Sequence, residues 1–91
     1  MAGGVEMWLM NKIKVLLFAT LRDYVGARSV EFEVPGGSTV AALEDELVRR
    51  YPRLEKVRGS MMAAINREFA ADEMVIPENA EVAFFPPVSG G

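Results

Sequence analysis

The chain contains one long amphipathic helix pattern, and that pattern dictates much of the rest. Between the breaker Pro35-Gly36-Gly37 and Pro52, the apolar residues Val40, Leu43, Leu47 and Tyr51 recur at helical spacing, and Val48 widens the stripe. Ser38 or Thr39 is placed to cap the first turn, and Pro52 to end the helix. Glu44, Asp45 and Glu46 stand ahead of Arg49 and Arg50, the order the helix dipole favours, and are expected on the solvated face. A single apolar stripe has to be buried against something. The other segments must therefore supply a sheet for the helix to lie across.

They read as strands. Lys12 to Phe18 alternates, with Ile13, Val15 and Leu17 on one side and Lys12, Lys14, Leu16 and Phe18 on the other. Thr20 to Gly26 reads as a helical turn or two, with Thr20 as cap and Gly26 as stop. Ser29 to Val34 alternates cleanly, placing Val30, Phe32 and Val34 inward, and is expected to pair with the first strand. After the helix, Arg53 to Ser60 reads as a charged connection and Met61 to Ile65 as a strand. Asn66-Arg67-Glu68 reads as a turn, and Phe69-Ala70 as a brief edge strand. Ala71 to Ile76 reads as a loop. Pro77 to Ala80 is a second turn, with Asn79 as its left-handed residue. Glu81 to Phe85 is the last strand, with Val82 and Phe84 inward. One helix on a mixed sheet of about four or five strands is an α+β architecture. Placing the first and last strands side by side in parallel makes it a β-grasp, which the pattern allows without forcing.

The same alternation leaves Phe18 and Phe85 on the outer face of the sheet. Either they form a docking surface, with Phe69 from the neighbouring turn, or they pack under a loop or the N-terminal segment. Arg22 follows close behind Phe18. It is either a solvated charge or a partner for an acidic residue on another protein.

Composition narrows the chemistry. The 91 residues suit one domain, and 51% hydrophobic with 25% charged residues suits a globular one. A net charge of −3 gives no basic footprint for nucleic acid. There is no cysteine and no histidine, which removes the usual zinc ligands and the Ser/His and Cys/His nucleophile pairs, so no metal site is expected. No apolar run approaches the roughly 20 residues of a membrane span. The N-terminal stretch is a poor signal peptide, and a cytoplasmic protein is expected. The resulting division is a mobile extension over 1–11, a folded domain over 12–85, and a flexible tail over 86–91.

The tail is the distinctive part. A strand runs through Phe84-Phe85 into Pro86-Pro87, then Val88-Ser89-Gly90-Gly91. The prolines stiffen its root, and glycines without Cβ suit entry into a narrow tunnel. The string Ile13-Lys14-Val15-Leu16-Leu17-Phe18-Ala19 stands at the front, with Leu21-Arg22-Asp23 and Val25-Gly26 after it. Thr39-Val40 and Leu43 open the helix, and Ala63-Ala64-Ile65-Asn66 and the whole run from Glu81 to Gly91 follow. In these residues the chain resembles the small, sulfur-carrying, ubiquitin-like subunit of molybdopterin synthase, over roughly residues 10–91. Three features depart from that pattern: the N-terminal extension, Asn79 where the family usually has a turn glycine, and Phe69 where it often has an aliphatic residue.

The resemblance implies a ubiquitin-like β-grasp. It also implies that an activating enzyme, with ATP and magnesium, adenylates the Gly91 carboxylate. Sulfur from a persulfide donor then makes a C-terminal thiocarboxylate. The tail, Pro86 to Gly90, enters the large synthase subunit, and sulfur passes from Gly91 to cyclic pyranopterin monophosphate. The partner face it implies is Phe18, Phe69 and Phe85, in a two-plus-two assembly, with no permanently bound cofactor. Other functions compatible with the tail are a ubiquitin-like modifier joined to lysines through Gly91, a carrier for thiamine synthesis, and a plain binding domain.

Overall fold

The alternating pattern at the front of the chain runs further than its lysines suggest. In the computed structural model, which describes residues 10–87, the first strand β1 spans Met10–Leu17 and pairs antiparallel with β2, Ser29–Pro35, from Met10 opposite Pro35 to Leu16 opposite Ser29. Met10 and Asn11 thus belong to the sheet and not to the extension, because β2 is long enough to pair with them. Asn11 points inward on the same side as Ile13 and is only 3% exposed. Its side chain leaves no donor or acceptor unmet. Nδ2 donates to the carbonyls of Pro77 at 2.9 Å and Ile76 at 3.4 Å, and Oδ1 accepts from the Asn79 N–H at 2.7 Å. One buried amide therefore ties the turn ahead of the last strand to β1. Asn79 adopts a φ of 57°, as its side chain permits.

The helix α1, Thr20–Val25, stops at Gly26, whose φ of 86° gives the left-handed cap and whose N–H reaches the Arg22 carbonyl. Its start differs from expectation. Thr20 is inside the helix and caps nothing, because the chain enters through a tight turn at Ala19, φ 54° and ψ −131°, closed by the Leu21 N–H on the Phe18 carbonyl. That is the glycine-favoured first position of a type II′ turn, held here by an alanine.

The long helix α2, Val40–Arg50, buries Val40, Leu43, Leu47 and Val48 against the sheet, and Thr39 caps it through Oγ1 on the Ala42 N–H. Each fully buried side chain of this kind contributes about 1.5–3 kcal/mol. Its first free N–H groups are taken by the loop after β4: Val40 donates to Met74 and Ala41 to Asp72. The connection after Pro52 is not merely charged. It forms a 3-10 helix, Pro52–Val57, because Leu54 turns inward and is completely buried. Strands β3 (Met62–Ile65), β4 (Glu68–Ala70) and β5 (Glu81–Phe85) complete a five-stranded sheet in the order β2-β1-β5-β3-β4. β1 and β5 run parallel at its centre, from Lys14 beside Glu81 to Leu17 beside Phe84. With one long helix across a mixed sheet, the fold is the expected α+β β-grasp.

One member of the acidic run departs from the solvated face. Glu44 is 7% exposed, and its carboxylate accepts from the Gly59 N–H at 3.4 Å, while Asp45 pairs with Arg58 and Glu46 with Arg49. Burial pushes the Glu44 carboxyl above its ordinary range. The Gly59 N–H pulls it back, and the neighbouring Asp72 pushes it up again. A carboxyl whose folded-state pKa is raised stabilises the fold below its unfolded pKa, and that contribution fades as pH rises through the raised value. Glu44→Gln keeps an acceptor for Gly59 and carries no charge. Its melting temperature relative to wild type should therefore rise between about pH 4 and about pH 7. Paired thermal melts at the two pH values check this. A difference that does not change with pH would remove the assignment.

Candidate functional site

The outer face of the sheet, opposite α2, is built by register. On this face Leu16 of β1 lies beside Ala83 of β5, Ala83 opposite Ala64 of β3, and Ala64 opposite Phe69 of β4. One pleat further along, Met62 lies opposite Phe85, and Phe18 follows Leu17 at the end of β1. Two rows therefore run across the strands, one low in its middle and one carrying large rings.

The parallel pairing of β1 and β5, carried one residue past Leu17 and Phe84, sets Phe18 next to Phe85. Their rings stack with centroids 4.7 Å apart and planes 18° apart. Phe69 leans toward Phe85 at 6.1 Å, tilted by 58°. The three phenylalanines singled out in the sequence thus form one cluster. Phe18 and Phe85 are half-buried against each other, while Phe69 is 72% exposed. Beside them is an open groove of about 520 Å³, with Ala64 and Ala83 on its floor and the aromatic rings on its wall. The two alanines were not among the candidate residues. Their signal was present, because Ala83 falls between Glu81 and Phe85 on the outward side of the last strand. Its importance depends on which strands flank it.

Arg22 is neither freely solvated nor paired with an acid among the described residues. Its Nε donates to the Leu17 carbonyl at 3.0 Å, and its guanidinium lies over the Phe18 ring, 5.7 Å from the centroid. The charge is fixed at the rim of the aromatic cluster.

Phe85 leads directly into Pro86, half-buried, and Pro87, exposed. The stiff root of the tail therefore leaves the sheet next to the groove. Val88, Ser89, Gly90 and Gly91, to which the chemistry was assigned, lie outside the described residues, as do residues 1–9 of the extension. Among the described residues no cluster of three or more carboxylates could hold a metal ion, and no helix is long and apolar enough to cross a membrane. What the face can do is bind: it offers an apolar groove, an aromatic wall, a fixed cation and an adjoining tail.

The molybdopterin synthase sulfur carrier subunit of Arabidopsis thaliana is 41% identical over 80 residues, covering 88% of this chain and 83% of the relative. The protein of the same name from Escherichia coli is 39% identical over 83 residues, covering 87% of this chain and 99% of the relative. Among solved structures, the small archaeal modifier protein SAMP1 of Haloferax volcanii superposes with a TM-score of 0.78 at 35% identity, covering 89% of this chain and all of that one. The model of the ThiS family matches residues 15–91, from the middle of β1 to the terminal glycine. On that match, and on relatives aligned over nearly their whole length, the chain belongs to the ThiS family.

Proposed function

We propose that the chain is the sulfur carrier of molybdopterin synthase, with the Gly91 carboxylate as the group that carries sulfur. The observation that carries the reading is the continuity of the aromatic groove with Pro86-Pro87. A surface suited to docking leads without a break into a tail suited to insertion. The curated relatives support it by their names.

The chemistry follows from what a carboxylate lacks. Oxide is too poor a leaving group for a sulfur nucleophile to displace. In an activating enzyme, a Gly91 carboxylate oxygen attacks the α-phosphorus of magnesium-bound ATP and releases pyrophosphate. The resulting acyl adenylate has AMP as leaving group. The terminal sulfur of a persulfide attacks the carbonyl carbon, the C–S bond forms and AMP departs. A thiol then cleaves the remaining S–S bond, leaving the thiocarboxylate on Gly91 and a disulfide on the relay. Docked on the large subunit, the thiocarboxylate sulfur attacks an oxygen-bearing carbon of cyclic pyranopterin monophosphate. The carbon–oxygen bond there breaks, with the oxygen departing on the phosphate or as water. Hydrolysis of the acyl link returns the carboxylate to Gly91 and leaves the sulfur on the pterin. Two carriers per pterin fit a two-plus-two assembly in the cytoplasm. The carrier supplies the sulfur, and the large subunit supplies the acid–base groups. ATP and magnesium act in the activating enzyme, so the carrier needs no bound cofactor of its own.

Intact-mass measurement tests this. The chain is co-expressed with its activating enzyme and a sulfur donor. The mass should change by one sulfur gained for one oxygen lost, and should return to its starting value when large subunit and pterin precursor are added. An unchanged mass with Gly91 intact would overturn the proposal. The likeness to SAMP1 supports a second reading, a protein modifier joined to lysines through Gly91. Isopeptide-linked products that vanish with Gly91 would establish that activity.

A further inference from the structure

Arg67 occupies a backbone position that glycine fills at least cost. It is the second central residue of the β3–β4 hairpin, where Ile65 lies opposite Glu68, and its φ is 76° beside 48° at Asn66. A two-residue turn with both centres at positive φ is of the I′ kind, for which Asn-Gly is the favoured pair. Asn66 conforms and is well held. Its Oδ1 accepts from the Glu81 N–H at 3.0 Å, and its own N–H donates to the Glu81 carbonyl at 2.8 Å. Arg67 does not conform. Its side chain is exposed and makes no hydrogen bond or ion pair among the described residues, so nothing on this surface offsets the backbone cost. It does line the groove, together with Phe69, Phe85 and Glu81. Non-glycine residues held in sparsely populated backbone regions concentrate at functional sites, and Arg67 stands at the candidate one.

We propose that Arg67 is the cationic lip of the docking groove, a specificity residue that pairs with a carboxylate on the large-subunit surface seated there. This deepens the docking reading above and rests on it. The charge pattern of the face says what such a surface must look like. The floor, at Ala64 and Ala83, and the wall, at Phe18 and Phe85, accept an apolar ridge. Arg22 is fixed beside Phe18, so a cation stands beside the aromatic wall as well as at the hairpin. Among the described residues, Glu81 is the one acid lining the groove; it makes no ion pair with Arg67, so the lip keeps a free cation in a chain of net charge −3. A ridge with an acid where it passes Arg67 gains a charge-assisted hydrogen bond, and a basic residue there meets like charge. Turn geometry alone selects glycine, so the arginine is accounted for by what its side chain reaches.

The test measures melting temperature and affinity for the large subunit of molybdopterin synthase, at low and high salt, for Arg67→Gly, Arg67→Lys, Arg67→Glu and Phe85→Ala. Arg67→Gly should melt about 4 °C higher than wild type and bind about tenfold more weakly at low salt. A residue kept for the fold would not give opposite signs. Arg67→Lys should stay within about threefold of wild type, Arg67→Glu should be the weakest of the three, and the differences should shrink at high salt. Arg67→Gly and Arg67→Glu binding like wild type, with Phe85→Ala weakened, would overturn the role of Arg67 and leave the docking reading standing. An unchanged or lowered melting temperature in Arg67→Gly would overturn the argument from backbone cost. Undiminished binding by Phe85→Ala would overturn the docking reading itself.

Discussion

Deleting Gly91 is expected to abolish sulfur transfer completely while leaving the melting temperature within about a degree of wild type. On the proposed reading the reactive group is the terminal carboxylate, and no other residue can replace it. The chain has neither cysteine nor histidine, so no side chain can hold sulfur as a persulfide or a thioester. Shortening the tail by one residue moves the carboxylate to Gly90 and withdraws it by about 3.3–3.6 Å. A reacting carbonyl must approach its nucleophile to roughly 3–3.5 Å, so the shortened tail falls short in both the activating enzyme and the large subunit. The fold should not register the loss, because among the described residues every member of the hydrophobic core lies at or before Phe84. The checks are the intact mass after co-expression and a thermal melt of the same sample. Thiocarboxylate formation at Gly90 at the wild-type rate would sink the assignment.

The second large effect separates two adjacent phenylalanines. Phe84→Ala should destabilise the domain by about 3–5 kcal/mol, a large share of the roughly 5–15 kcal/mol that holds a domain together. Phe84 is 1% exposed, on the central strand β5, between Leu17 on one side and Ala63 on the other. Removing its ring leaves a cavity that two hydrogen-bonded neighbouring strands cannot close. Phe85→Ala, one residue later and on the other face, should cost far less stability and weaken docking by roughly 1–4 kcal/mol. Phe85 stacks on Phe18 and lines the outer groove rather than the core. Denaturant unfolding of both variants, with titration against the large subunit, would show the crossover. Equal losses of stability would contradict the assignment of the two faces.

Local chemistry made much of the fold legible. Helical spacing at Val40, Leu43 and Leu47 and the alternation around Ile13, Phe32 and Val82 report which side of each element is apolar, and burial follows from that. Asn66 and Asn79 declared their turns because few other residues accept positive φ. The failures have local causes too. Thr20 had the chemistry of a cap, but the backbone path from β1 puts Ala19 at the turn and carries Thr20 into the helix. Glu44 was assigned to solvent by its charge. The 3-10 helix after Pro52 brings Gly59 against that part of α2, and the carboxylate is covered. Asn11 was left out of the domain because its amide partners lie at residues 76, 77 and 79, far along the chain.

By itself the sequence determined the five strands, the long helix and the inward and outward sides of the strands, and it supplied the terminal run on which the proposal places the reactive carboxylate. Each of these depends on residue type and short-range period. The tertiary structure alone decided how the outward residues combine. The stack of Phe18 on Phe85 depends on the parallel register of β1 and β5. The groove floor depends on Ala83 and Ala64 meeting across β5 and β3, and the place of Arg67 on its lip depends on the β3–β4 turn. Register is set by long-range pairing, and a one-residue slip would turn every one of these side chains to the other face.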